Sequence, residues 1–226
     1  MFIIHMKTLL ILTALASLLI NCGASTTASR EFAISLPSAR IESREMPTQR
    51  EVLEKTKVVV LGTGTPIPDA SRAGSSIAVI HKGNAYLFDV GAGAVRQATI
   101  ARYLYDIPSL YPSQICCVFL SHLHSDHTLD LSELAHTLWW RRSNPLLAWG
   151  PEGISRISKA ITDMIAIDAD FRINGLQPVA NSEGFKISDK TIEPGIILQQ
   201  DGLSVEAFLA NHGDISPAYG FKIVTD

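Results

Sequence analysis

Four residues of metal-ligating type fall close together in the run Ser121-His122-Leu123-His124-Ser125-Asp126-His127. Imidazole and carboxylate donors together suit zinc or another borderline first-row cation. His122 and His124 stand two positions apart, so in extended chain both rings leave the same side. Asp126 and His127 follow where the chain turns and can face a second position. Two ions about 4 Å apart could share a bridging hydroxide. The chemistry would be hydrolysis by a metal-activated water, with Asp126 as ligand and as the residue that orients the nucleophile. A plain polar turn is the competing reading. It accounts poorly for so many polar groups at a buried strand end, where unpaired ones are costly.

The elements around this run must hold it in place. Residues 115–120 are an apolar block of strand formers, and Leu131, Leu134, Ala135 and Leu138 recur at helical spacing. Asp130 with Glu133 three residues on predicts a helix start there. Upstream, residues 58–61 read as a buried strand that runs into the tight loop Gly62-Thr63-Gly64-Thr65-Pro66. Arg72 in its continuation reads as a solvated loop residue. Residues 76–80 and 85–90 form a hairpin around Lys82-Gly83-Asn84, which leaves His81 as an exposed turn histidine. Ala94, Val95, Ala98, Ala101 and Tyr105 give one helix face, and Ile154, Ile157, Ile161 and Ile165 another. Strands are expected over residues 185–198, 203–210 and 219–223.

Trp139-Trp140-Arg141-Arg142 predicts helix packing with cations at the carboxyl end, in preference to base stacking. Cys116 and Cys117 are neighbours on opposite faces of a strand and are expected to remain unpaired. Periodicity alone indicates mixed α and β. The chain has 226 residues, 46% hydrophobic and 18% charged, which suits one globular domain with a substantial core. A formal net charge of −3 gives no sign of a nucleic-acid surface.

The pattern His-x-His-x-Asp-His, with residues 61–66 and with Leu87-Phe88-Asp89-Val90-Gly91-Ala92-Gly93 upstream, resembles the metallo-β-lactamase superfamily, in the branch that contains ribonuclease Z. The resemblance covers about residues 56–226. It implies an αββα sandwich, with Asp89 orienting the metal loop by hydrogen bonding and not ligating. It implies that His212, after the strand over residues 205–209, completes a three-histidine site with His122 and His124. The family closes its second site with an aspartate on a strand beyond residues 219–224 and with a later histidine. Since the chain stops at Asp226, the resemblance implies a C-terminally truncated domain with its last sheet and helix incomplete. One zinc ion is then expected, and two only if the chain continues.

The function expected is a zinc-dependent hydrolase acting on a small-molecule ester or phosphodiester. One alternative is a ribonuclease Z-like endonuclease on transfer-RNA 3′ ends. The long Gly/Pro-rich arm of that enzyme is missing, and Thr128-Leu129-Asp130-Leu131 stands where it usually has Gly-Leu. Diiron or sulfur-oxidising chemistry and a non-catalytic metal-binding remnant are further alternatives.

The amino-terminal residues are of different material. Lys7 followed by apolar residues 9–20 reads as a secretory signal over residues 1–24, with Met6 an alternative start. It is marginal as a membrane span. Leu19-Ile20-Asn21-Cys22 resembles a bacterial lipobox, although Asn21 departs from the small residue usual there. It makes Cys22 the lipidation candidate, with ordinary cleavage near Ala24 the alternative. Residues 25–54 read as a polar linker with a short helix near residues 50–55, and residues 55–226 as the folded domain. The protein is therefore expected outside the cytoplasm, periplasmic or membrane-anchored. Mass spectrometry of the mature amino terminus should find a lipid-modified Cys22 carrying more than one acyl chain. A terminus at Ser25 would mean export without lipid.

Overall fold

The computed structural model describes residues 56–226. The signal segment, Cys22, the linker and the expected helix near residues 50–55 lie outside the described residues. None of the described helices is long and apolar enough to cross a membrane.

Among the described residues, nine strands build two sheets. The first has six strands in sequential order: β1 (Lys57–Gly62), β2 (Ser76–His81), β3 (Asn84–Phe88), β4 (Cys117–Phe119), β5 (Leu146–Gly150) and β6 (Ile187–Thr191). The first three run antiparallel, and β3 to β6 are parallel. The second sheet is the antiparallel set β7 (Gly195–Gln200), β8 (Leu203–Leu209) and β9 (Tyr219–Thr225). The helices are α1 (Ala94–Tyr105), the short α2 (Ser125–Thr128), α3 (Asp130–His136) and α4 (Ile154–Ile173).

Strand alternation sends side chains into two cores. Ala85 and Leu87 of β3, Val118 of β4 and Ala148 of β5 join Val95, Ala98, Leu131, Leu134 and Ile165 of the helices. The opposite faces carry Tyr86, Phe88, Phe119 and Trp149, which meet Val205, Ala207 and Tyr219 of the second sheet. This is helix–sheet–sheet layering, an α/β fold of the sandwich kind expected. Phe88, Phe119 and Trp149 stack across three neighbouring strands at 5.0 and 4.9 Å, and Phe221 of β9 tilts against Phe88 at 5.3 Å. That aromatic floor lies beneath the ends of β3 and β4, where the loops bearing Asp89 and the histidines begin.

Several expectations are corrected. The strand expected over residues 185–198 is two strands in different sheets, because Pro194 lacks a donor for continued pairing. His81 is buried at 1% exposure. The turn itself is Lys82-Gly83, both at positive φ, so His81 is still β2 and shares the parity of Val79 toward the second sheet. There Thr56 Oγ1 lies 2.9 Å from Nδ1, and the Asp201 carbonyl 3.1 Å from Nε2. Cys116 and Cys117 are joined as a disulfide, against expectation. Cys116 precedes β4, so opposite-face alternation does not yet constrain it. The helix after the histidine run stops at His136. Leu138 turns the chain at φ 57°, and Trp139–Arg141 is a separate 3-10 turn. Asp130 does open α3, but its carboxylate accepts from the Val95 amide of α1 at 2.9 Å, tying two helices together.

Glycines set how closely the loops pack. A Cβ on Gly91 would lie 1.9 Å from the Asp126 carbonyl oxygen and 2.6 Å from Gly74 backbone. On Gly62 it would lie 1.9 Å from the Gly74 carbonyl oxygen. Backbone thus touches backbone from the β1 loop to the loop of Asp126, and no side chain fits between. Gly91→Ala should cost about 2–3 kcal/mol through overpacking, read by urea denaturation, and should displace the Asp126 loop. A substitution without effect on either would show that the loops can separate freely.

Candidate metal centre

The end of β4 delivers Leu120 and Ser121, and the chain then turns through His122 to His127 into α2. Its path is pinned by backbone hydrogen bonds. The Leu120 amide donates to the Trp149 carbonyl at 2.8 Å, Val90 to His127 at 2.8 Å and Asp130 to Val90 at 2.9 Å. The second sheet reaches the same loop, because the Tyr219 amide at the start of β9 donates to the Ser121 carbonyl at 2.9 Å. The β8–β9 connection that carries His212 is closed by the Ala210 amide bonding the Ala218 carbonyl at 2.8 Å. Two elements far apart in sequence therefore present their histidines to one point.

His122, His124 and His212 each offer a ring nitrogen, and these nitrogens all lie within 4.8 Å of one another. His122 is buried at 4% exposure, while His124 and His212 are open to solvent. Ser121 Oγ lies 2.8 Å from Asp89 Oδ2 and 3.0 Å from both Asp89 Oδ1 and His122 Nδ1. The hydroxyl spends its one proton on the carboxylate, so it accepts from His122 Nδ1–H. That leaves the Nε2 lone pair free, and Nε2 faces His124 Nδ1 at 3.2 Å. Ser121 has a positioning part that no sequence spacing indicated. The only available signal was a hydroxyl at the strand end, next to the first ligand.

Asp89 has φ 59°, a left-handed conformation that aspartate tolerates better than most residues. From it Oδ1 accepts the Ser121 amide at 2.8 Å and Oδ2 lies 2.7 Å from His127 Nδ1. With Nδ1–H donated to Asp89, His127 Nε2 turns toward Asp126, whose Oδ2 lies 3.5 Å away. Asp126 Oδ1 is buried and has no hydrogen-bond partner among the described residues. An orphaned carboxylate oxygen is costly inside a protein. The three converging imidazoles form a donor set that fits zinc, and Asp126 stands outside that group. Asp214, two residues past His212, is exposed and stands outside the three-histidine group. Arg72 is exposed and bonded to Asp69 at 2.9 Å; both line a cavity of about 170 Å³ that reaches Asp126.

The histidines differ electrostatically. Burial, reinforced by the neighbouring His127 and His212, pushes His122 down to about 4. The ring is therefore neutral, as a ligand must be. In the metal-free protein it costs stability as pH falls from 6.5 toward about 4, where the unfolded ring takes up a proton that the folded one refuses. Burial also acts to lower His127, but the hydrogen bond and charge of Asp89, with help from Asp126, outweigh it and raise the ring.

The Beta-lactamase superfamily domain family matches residues 84–226. The chain belongs to the beta-lactamase superfamily. Within it, similarity is to the ribonucleases Z. That of Mycolicibacterium gilvum (strain PYR-GCK) is 30% identical over 171 residues, covering 74% of this chain and 57% of the relative. That of Mycobacterium bovis (strain BCG / Pasteur 1173P2) is 28% identical over 174 residues, covering 75% and 59%. The chain thus spans little more than half the length of these relatives. Among solved structures, the short form of human tRNase Z superposes with a TM-score of 0.55 at 21% identity, over 76% of this chain and 64% of that one. The metallo-beta-lactamase fold protein YhfI of Bacillus subtilis gives 0.53 at 16% identity, over 75% and 58%. These superpositions establish the metallo-β-lactamase fold.

Asp89→Asn should lower the His127 pKa, since only the weaker influence of Asp126 then opposes burial. NMR titration of the metal-free protein checks this. An unmoved His127 would remove Asp89 from the part assigned to it.

Proposed function

We propose that this superfamily member is a metal-dependent hydrolase acting on an ester or phosphodiester. The observation that carries the reading is the convergence of three imidazole nitrogens on one point. His122, His124 and His212 would hold one ion, and Asp126 with His127 would offer a weaker second position. When bound, zinc acidifies a coordinated water and stabilises negative charge on the substrate. The protein's own share is positional. Ser121 and Asp89 fix the tautomers of His122 and His127, so both Nε2 atoms are free to bind. Asp126 would ligate and help to orient the attacking water. The exposed edges of His124 and His212 leave room for a substrate.

A second reading, processing of transfer-RNA 3′ ends, draws support from the names of the relatives. An exported, lipid-anchored protein would act away from that RNA, which favours a small substrate.

The purified chain should bind close to one zinc ion tightly and hydrolyse a generic phosphodiester slowly. The double variant His122→Ala, His124→Ala should keep its fold by circular dichroism, lose the metal by elemental analysis, and lose at least about 100-fold in rate. Unchanged metal content in that variant would sink the assignment. Cleavage of precursor transfer RNA in strong preference to small diesters would favour the second reading.

A further inference from the structure

The aromatic–basic run after α3 contributes nothing to the metal centre, and its two arginines part company. Arg142 is buried at 3% exposure. Its Nη1 donates to the Ile115 carbonyl at 2.9 Å, and its Nη2 to the Pro112 and Leu134 carbonyls at 2.6 and 3.0 Å. The Nε is buried without a partner among the described residues. Among the described residues neither Arg142 nor Arg141 has a carboxylate within salt-bridge distance. A buried cation normally has a counter-ion. Burial lowers Arg142 to about 10, with no neighbouring acid to offset it, so the charge persists at neutral pH.

Both arginines line a cavity of about 480 Å³ at the amino-terminal ends of β4, β5 and β6. The metal centre follows the opposite, carboxyl end of β4. Ser113, Gln114, Asn144 and Ser188 add hydroxyl and amide groups to the wall, and among the described residues no acidic side chain lines it. Arg141 is exposed and able to reach a ligand. The buried guanidinium behind it supplies charge that solvent screens little.

We infer that this cavity is a binding site for a phosphate-type oxyanion, separate from the metal centre. Arg141 contacts the anion, the wall hydroxyls and amides complete its hydrogen bonds, and Arg142 sets the positive potential from below. The inference does not depend on the proposed hydrolysis.

The test is calorimetric titration of inorganic phosphate into the full chain, kept metal-free with chelator so that the histidine centre cannot hold the anion through zinc. One saturable site is expected. Arg141→Glu should weaken it at least about tenfold, and Asn144→Asp should weaken it as well; both residues are exposed, so both variants should fold. His122→Ala, His124→Ala should leave it unchanged. Phosphate should raise the melting temperature of the wild type but not of Arg141→Glu. Absence of saturable binding, or binding that survives Arg141→Glu and disappears in the histidine variant, would overturn the inference.

Discussion

The carboxylate of Asp89 is the constraint on which the site depends. It closes one parallel strand, takes the amide and hydroxyl of Ser121 at the end of the next, and holds His127 after the turn. Charge-assisted hydrogen bonds contribute about 1.5–3 kcal/mol each. They can do so here because the left-handed backbone at residue 89 aims the carboxylate across the strand ends. A regular strand residue would send it into one of the two cores. The unusual backbone is therefore part of how the site is built, as local strain at functional positions often is.

Rigidity around that carboxylate comes from packing on two sides. Below, the stacked rings of Phe88, Phe119 and Trp149 hold three strand ends in a common plane. Beside them, Gly62, Gly74 and Gly91 allow backbones to touch, so the loop of Asp126 rests directly on its neighbours. The second sheet is tied into the same unit by Tyr219. Its amide bonds Ser121, and its hydroxyl donates to the Ile192 carbonyl at 2.9 Å. His212 inherits its position from this docking. Any loosening between the sheets would open the three-histidine group.

Polarity is distributed along the parallel strands. Their carboxyl ends carry the neutral His122, the raised His127 and the two aspartates, a surface suited to a cation. Their amino ends carry Arg141 and the buried Arg142. The sheet between them keeps the two apart.

The chemistry-bearing residues were legible in the sequence because they are local. His122, His124, Asp126 and His127 lie within one turn after an apolar strand, and that spacing alone proposes a metal. The hairpin at Lys82-Gly83 and the helix from Ile154 were legible for the same reason, since short-range periodicity and turn chemistry determine both. His212 was reachable only through family resemblance, since nothing near Asn211-His212-Gly213 distinguishes a ligand from a loop histidine. Burial of His81 between the sheets, the split of residues 185–198 across two sheets, and the inward turn of Arg142 depended on which surfaces meet. So did the use of Asp130 to hold α1 and of Ser121 to set a tautomer. Local pattern determines which groups a segment carries and which way they alternate. The partner each group finds is decided by contacts between segments dozens of residues apart, and those exist only once the two sheets and the helices have packed.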